Sequence, residues 1–321
     1  MPTRFHYIKK ARDTHTMAIS PIAKQICAII TTYRPESDLV ECVQRLTPQV
    51  AEIVIVDDGD TEENVEKLSR WFNGVPMVTV WHQSGNYGIA AALNVGVKIA
   101  REKGFTWLLT LDDDSIPDSD MVERLCEHLA RIEGSQSVGI IGMKPTTINR
   151  STSSPRRGYY SHPWLDKRGI ITSGSLFSLQ TYATVGPFRE EFFIDSVDYD
   201  FCMRARAKGF RVIQVQECGF KHSLGQNEKF KLGIFTINFE SHSPARLYYA
   251  FRNSTILAKE YIRRDPLYSC AVVLSQSKTV MRIMFLQKNK YKKLFAIIRG
   301  FMAAMKGKMG RIESSDVANE R

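Results

Sequence analysis

From Ile26 onward the chain alternates short apolar runs with amphipathic stretches, at a spacing that few folds satisfy. ICAIITTY precedes a helix-like segment over Asp38–Leu46, and EIVIVDD precedes one over Glu62–Phe72. MVTVWHQ precedes a third from Gly88 to Lys103, and TWLLTLDDD closes the series. Apolar runs rich in Ile and Val predict strands, and the 3.6-residue periodicity between them predicts helices. Strands joined through helices pair in parallel, in a sheet covered on both faces. An α/β fold with a mostly parallel sheet is the expectation.

After Val138–Met143 the pattern fades. Thr146–Arg168 reads as a long loop rich in Ser, Arg and aromatic residues, of the kind that often carries function. Regular structure is expected again in ITSGSLFSL, in Phe188–Ile194, in a helix over Val197–Lys208 and in the strand RVIQV, with helices from Ser243 to near Met309. The expected organisation is a poorly ordered extension (1–24), a catalytic α/β domain (25–240), a basic helical region (241–311) and a polar tail (312–321), with no internal repeat.

Composition excludes the unusual classes. With 43% apolar and 24% charged residues the chain is neither disordered, collagen-like nor a disulfide scaffold. The six cysteines show no CxxC spacing and read as reduced core residues of a cytosolic protein. No apolar run reaches the length of a membrane span, and the first residues lack a secretory pattern. The net charge of +10 is local: Leu267–Arg311 holds ten Lys or Arg and no acid, leaving 34 basic and 34 acidic residues elsewhere.

Sites in open α/β sheets lie beyond the carboxyl ends of the strands, where the polar clusters of this sequence fall. Asp112-Asp113-Asp114 ends a buried strand. Adjacent carboxylates suit a hard divalent cation, and a solvated acidic turn before a helix is the alternative. In Asp195-Ser-Val-Asp198-Tyr-Asp200-Phe-Cys-Met-Arg204, Asp200 and Arg204 stand at helical i,i+4 spacing. Asp198, at the helix start, is either a general base or an N-terminal charge on the helix dipole. Asn86-Tyr-Gly88-Ile-Ala-Ala-Ala-Leu-Asn94-Val-Gly96 places small residues on the first turns of a helix. That suits a bound anion or close helix–sheet packing. His222 follows a short apolar run.

Taken together, TTYRPE, VDDGD, NYGIAAALNVG, LDDD, TSGSLFSL, FFIDSVDYDFCMRARAKGF, HSLG and YYAFRN resemble, in kind and order, family 2 glycosyltransferases, and within them a bacterial rhamnosyltransferase-like group. The likeness spans roughly Gln25 to Tyr261. It implies a GT-A (nucleotide-diphospho-sugar transferase) fold and inverting transfer from a nucleotide-diphosphate sugar. Thr31, Tyr33 and Arg34, with Asp57 or Asp58, would hold nucleobase and ribose; Asn86, Asn94, Asp112 and Asp113 would lie along the donor. Asp112, Asp114 and His222 would bind Mg2+ or Mn2+, and Asp198 would be the base, although the family's common Glu-Asp pair reads Val197-Asp198 here. Trp164, Ser173, Gly174 and Asp195 are expected to border the acceptor, because aromatic faces and hydroxyls suit sugars.

By the same resemblance the donor is expected to be dTDP-rhamnose, with UDP-sugars as the alternative, and the acceptor a saccharide or lipid-linked saccharide in cell-surface polysaccharide or O-antigen assembly. The basic C-terminal region adds an apolar stripe of Leu294, Ile297, Ile298, Phe301 and Met305. An amphipathic basic helix suits an anionic membrane surface, which predicts a peripheral protein of the inner face. No nucleic-acid module accompanies the charge, so nucleic acid is not an expected partner. A dehydrogenase is disfavoured because no GxGxxG follows the first strand. A sugar nucleotidyltransferase would carry a Gly-rich basic loop where TTYRPE stands. A non-catalytic binding protein would not need all of Asp112, Asp114, Asp198 and His222.

Overall fold

The computed structural model describes residues 23–59, 61–147, 162–222, 226–232 and 235–312. The N-terminal extension as far as 22, Asp60, most of the Ser- and Arg-rich loop, Ser223–Gly225 and the tail from 313 lie outside the described residues. Packing divides the chain into two compact units, Met1–Phe188 with Phe201–Ser223, and Arg189–Asp200 with Leu224–Arg321.

The first unit holds a nine-stranded sheet. Strands β1 (Ile26–Thr32), β2 (Glu52–Asp57), β3 (Val78–His82) and β4 (Trp107–Asp112) alternate with helices α1 (Asp38–Leu46), α2 (Glu62–Phe72) and α3 (Ile89–Glu102), as the periodicity predicts. They pair in parallel in the order β3-β2-β1-β4. Beyond β4 the sheet becomes mixed. β5 (Ser115–Pro117), helix α4 (Met121–Arg131), β6 (Val138–Thr147), β7 (Trp164–Asp166), β8 (Ser175–Ser178), α5 (Leu179–Val185) and β9 (Arg211–His222) complete it. β8 runs antiparallel between β4 and β6, β9 runs parallel to β6, and β5 and β7 pair antiparallel with β9.

Both faces of the sheet are covered, which explains strands with little polar alternation. Ile26, Ala28 and Ile30 of β1 share one buried cluster with Leu39 and Leu46 of α1, Leu68 and Phe72 of α2, and Met121 and Leu125 of α4. On the opposite face Gly96 of α3 lies so close to the strand that a Cβ there would stand 2.4 Å from Ile29 Cγ2. The cysteines are all free; Cys27, Cys42, Cys126 and Cys202 are buried as expected, whereas Cys270 is exposed. Burial pushes the Cys27 thiol up to about 12, in keeping with an inert core residue.

Helix α6 (Val197–Ala207) begins in the second unit and continues into the first. The second unit otherwise contains a hairpin, β10 (Gln226–Leu232) with β11 (Phe235–Ser241), and helices α7 (Pro244–Tyr261), α8 (Pro266–Leu286) and α9 (Lys290–Met305). Gly300 seats α9 directly on the backbone of α7, since a Cβ at 300 would fall 2.4 Å from the Tyr248 carbonyl oxygen. This close packing corrects the expected apolar stripe. Ile297 is buried and Leu294 packs beside it against Leu247, Phe251 and Ile283, while Ile298, Phe301 and Met305 face outward. Lys293 is buried with its ammonium on Ser241 Oγ and Gln287 Oε1.

Candidate active site

The carboxyl ends of β1 and β4 bring the first acidic cluster together. Thr31 stands opposite Asp112 in the parallel register, and the Thr32 hydroxyl donates to Asp113 Oδ2. Burial pushes the Asp113 carboxyl up to about 7; the Thr32 hydrogen bond pulls it down, and Asp114 and Asp112 push it further up. Asp113 is thereby turned toward β1.

Asp112 and Asp114 take a different partner. The short strand β5 follows the acidic turn directly, in place of the helix that the alternative reading expects there, and pairs Ser115 with His222 at the end of β9. That pairing closes a gap of more than a hundred residues and sets Asp112, Asp114 and His222 so that one ligand atom of each lies within 4.8 Å of the others. His222 Nδ1 is 3.2 Å from Asp114 Oδ1, and that oxygen is buried and has no hydrogen-bond partner among the described residues. A buried carboxylate oxygen without a donor is unfavourable unless a cation sits on it. Two carboxylates and an imidazole are a chemically suitable set for a divalent ion.

Behind these three groups runs a buried line of hydroxyls. Ser115 Oγ lies 2.9 Å from His222 Nδ1 and 2.8 Å from Ser173 Oγ, and the Asp112 amide donates to Ser173 Oγ at 3.1 Å. Ligating histidines commonly have one ring nitrogen oriented by such a partner. Ser173, expected beside the acceptor, is 1% exposed and spends its hydroxyl on this line. Gly174 has φ +73°, and a side chain there would run into the Phe220 ring, so glycine is required by the backbone and by packing alike. Trp164, also expected at the acceptor, sits on β7 with its ring edge-on to His128 at 6.0 Å.

The remaining donor-side residues divide into exposed groups and groups that hold loops. Tyr33 is 45% exposed with the Arg34 guanidinium over its ring, and Asn86 is half-buried. Asp57 is fully buried and accepts from Gly59 N, Asn64 Nδ2 and His82 Nδ1. Asp58 accepts from Gln83 Nε2 and from the amides of Tyr87 and Gly88 at the start of α3. Asn94 clasps Phe188, donating to its carbonyl and accepting from its amide, both at 2.9 Å.

In the second unit the segment before α6 is strained. Phe193, Asp195 and Ser196 all have φ near +63°, a region that costs a non-glycine residue on the order of 1–3 kcal/mol. Phe193 has ψ −66°, and the Ile194 amide donates to the Phe192 carbonyl at 2.7 Å, which makes a γ-turn of the rare strained form. Asp195, an expected acceptor residue, has its carboxylate 3.5 Å from Arg246 Nε. Asp198 is half-buried on the first turn of α6, its Oδ1 accepting from the Tyr199 amide. Arg204, one helical turn after Asp200, donates to the Val185 and Pro187 carbonyls, and Asp200 lies 3.6 Å from Arg189 Nε.

A family profile, Glycosyl transferase family 2, matches residues 27–184, the stretch that builds β1 to β4, the Asp112–Asp114 turn and β8. The dTDP-rhamnosyl transferase RfbF of Shigella flexneri is 28% identical over 83% of this chain and 90% of its own length. Residues 27–184 are thus a glycosyltransferase family 2 domain. A PGL/p-HBAD biosynthesis glycosyltransferase of Mycobacterium bovis is 27% identical over 57% of this chain and 70% of that protein. Among solved structures, GalNAc-T7 with UDP, GalNAc and Mn2+ superposes with a TM-score of 0.49 and 13% identity, covering 62% of this chain and 43% of that one. The expected α/β sheet, parallel over β3-β2-β1-β4 and covered by helices, is the fold observed, and C-terminal helices follow it. Ser115, directly after the acidic triplet, carries no sign of its role in the sequence, and neither do Arg252 and Asn253 of YYAFRN.

Proposed function

We propose that this family 2 glycosyltransferase is an inverting, divalent-metal-dependent enzyme that moves a hexose from a nucleotide diphosphate onto a saccharide or lipid-linked saccharide. The observation that carries the proposal is the convergence of Asp112, Asp114 and His222, with Asp114 Oδ1 buried and lacking a hydrogen-bond donor among the described residues. These residues would hold Mg2+ or Mn2+; Lewis-acid neutralisation of the leaving diphosphate is the chemistry such an ion supplies when bound. Thr31, Tyr33, Arg34 and Asn86 are assigned to the nucleoside and donor, with Asp57, Asp58 and Asn94 keeping their loops in place. Asp198 takes the proton of the acceptor hydroxyl as its oxygen attacks the anomeric carbon; the bond from that carbon to the diphosphate oxygen breaks, the nucleoside diphosphate departs, and the new bond has inverted configuration.

The Shigella flexneri relative is named a dTDP-rhamnosyl transferase over nearly its whole length, which supports dTDP-rhamnose as donor here. Assembly of cell-surface polysaccharide such as O-antigen is the corresponding pathway class. Calorimetry with dTDP-rhamnose, UDP-glucose and UDP-galactose, each with and without Mn2+, tests the proposal. Metal-dependent binding of dTDP-rhamnose is expected; equal binding with and without metal would overturn the metal assignment, and preference for a UDP-sugar would overturn the donor.

We further propose peripheral attachment to the inner face of an anionic membrane. Among the described residues no helix is long and apolar enough to cross a bilayer. The second unit nonetheless exposes Leu267, Leu274, Met281 and Phe285 on α8 and Tyr291, Phe295, Ile298, Met302 and Met305 on α9. This apolar surface lies in the stretch that has ten cations and no acid, which opposes self-association and favours an anionic surface. Sedimentation with phosphatidylserine-containing vesicles at low salt is expected, with loss on Phe285→Glu and Phe295→Glu; equal partitioning onto purely zwitterionic vesicles would refute the electrostatic part.

A further inference from the structure

Tyr248-Tyr249-Ala-Phe-Arg252-Asn253 on α7 is the one quoted motif to which the transfer mechanism gives no task. Its two polar members are almost wholly buried, Arg252 at 1% and Asn253 at 0% exposure, and both are directed at the main chain of 191–195. The Asn253 amide nitrogen donates to three consecutive or near-consecutive carbonyls, Phe192 at 2.9 Å, Ile194 at 2.8 Å and Asp195 at 2.9 Å. Arg252 Nη2 donates to the Glu191 and Phe192 carbonyls, its Nη1 to the Gly310 carbonyl, and its Nε to Asn253 Oδ1, which fixes the orientation of the amide. The Phe193 ring stacks on Tyr249 with centroids 5.0 Å apart. Apart from the Gly310 bond and the Arg252–Asn253 bond, these contacts fall on the segment that contains the γ-turn at Phe193 and the left-handed residues Asp195 and Ser196.

A backbone run with three non-glycine residues at positive φ persists only where its surroundings over-determine it, and such runs gather at sites where geometry matters. Val197, the first residue of α6, follows immediately, so the direction in which the strained turn delivers the chain is the direction in which Asp198 is presented. We infer that Arg252 and Asn253 are positioning residues of the transfer reaction: by holding 191–196 in this high-energy backbone they aim the carboxylate of Asp198. The inference rests on the reading of Asp198 as the base. A misplacement of a reacting group by about 1 Å costs about a hundredfold in rate, so a modest relaxation of the turn has a large kinetic consequence and little effect on binding.

The test uses the full chain and dTDP-rhamnose, or whichever sugar nucleotide calorimetry selects, and measures release of the nucleoside diphosphate with water as acceptor, where the proposed base would take the proton of the attacking water. Asn253→Ala is expected to lower kcat about 30- to 100-fold while Mn2+ affinity and donor KM stay within about twofold of the parent. Ser196→Gly in the Asn253→Ala background, which removes the penalty at one left-handed position, is expected to recover several-fold of that loss; a purely packing role for Asn253 predicts no such recovery. If Asn253→Ala does not fold, Arg252→Lys, which keeps the charge but loses the forked donors, serves with an expected loss of about tenfold. Turnover within twofold of the parent for the folded variants, alongside a hundredfold or greater loss in Asp198→Asn, overturns the inference. Parental turnover in Asp198→Asn overturns the base reading itself.

Discussion

The cluster of Asp112, Asp114 and His222 and the segment that carries Asp198 are built on opposite principles. The first is placed by strands. Ladder register sets Thr31 against Asp112 and Ser115 against His222, so the acidic cluster inherits its geometry from hydrogen bonds that the sheet makes anyway. The second is placed against local preference, by a buried arginine and asparagine that hold a left-handed backbone. A site borrowed from regular structure costs little conformational strain and is rigid by default, whereas a strained site is only as well aimed as its distant supports. The two halves of the proposed chemistry, cation binding and proton removal, should therefore fail independently.

The sharpest break of that comparison is Asp198→Asn. General base catalysis contributes about 10²–10⁴ in rate, so kcat is expected to fall by about that factor, with Mn2+ and donor affinities unchanged in calorimetry. Loss of cation affinity in this variant would show that the two regions are not separable. The converse is Asp114→Asn, which removes one charge from the proposed cation site but leaves the strained segment intact. Mn2+ binding followed by electron paramagnetic resonance is expected to weaken by on the order of a hundredfold, about 2.7 kcal/mol at 1.36 kcal/mol per decade, and unchanged Mn2+ binding would remove Asp114 from the ligand set. A smaller effect is expected one step further back. Ser115→Ala takes away the hydroxyl that orients His222, and loss of such outer partners lowers metal affinity about 10- to 100-fold; Ser115→Thr, which keeps the hydroxyl, should recover part of it.

The same contrast explains what the sequence discloses. Helices around Asp38–Leu46 and Glu62–Phe72 are readable because periodicity and the flanking strands agree, and the structure caps the second with Thr61. The acidic triplet was readable because charges at the end of an apolar strand are conspicuous. The antiparallel insertion of β8 was not, since β4 and β8 are joined by no short turn, and the β10–β11 hairpin was not, since Gln226–Leu232 lacks an apolar alternation. The strain at Phe193–Ser196 left no local mark either. No glycine or asparagine announces the left-handed residues, because the energy that holds them comes from Arg252 and Asn253, more than fifty positions later. Local pattern reports local preference, and here the preference is overridden.

The smallest expected effect concerns the support of the strained segment. Gly300 lets α9 rest on α7 at the turn of helix that bears Tyr248 and Tyr249, and a Cβ at 300 would meet the Tyr248 carbonyl at 2.4 Å. The obstacle is backbone, so one helix must move, and overpacking of this kind typically costs about 1–3 kcal/mol. Gly300→Ala is therefore expected to lower the melting temperature by a few degrees in calorimetry and to raise amide exchange in 190–196, with Mn2+ affinity at its parental value. Because α7 carries Arg252 and Asn253, any shift of its first turns reaches the strained segment through side chains that have no slack. A fall in Mn2+ affinity as large as that of Ser115→Ala would mean that the two regions share one source of rigidity, and an unchanged melting temperature would mean that α9 is not what braces α7.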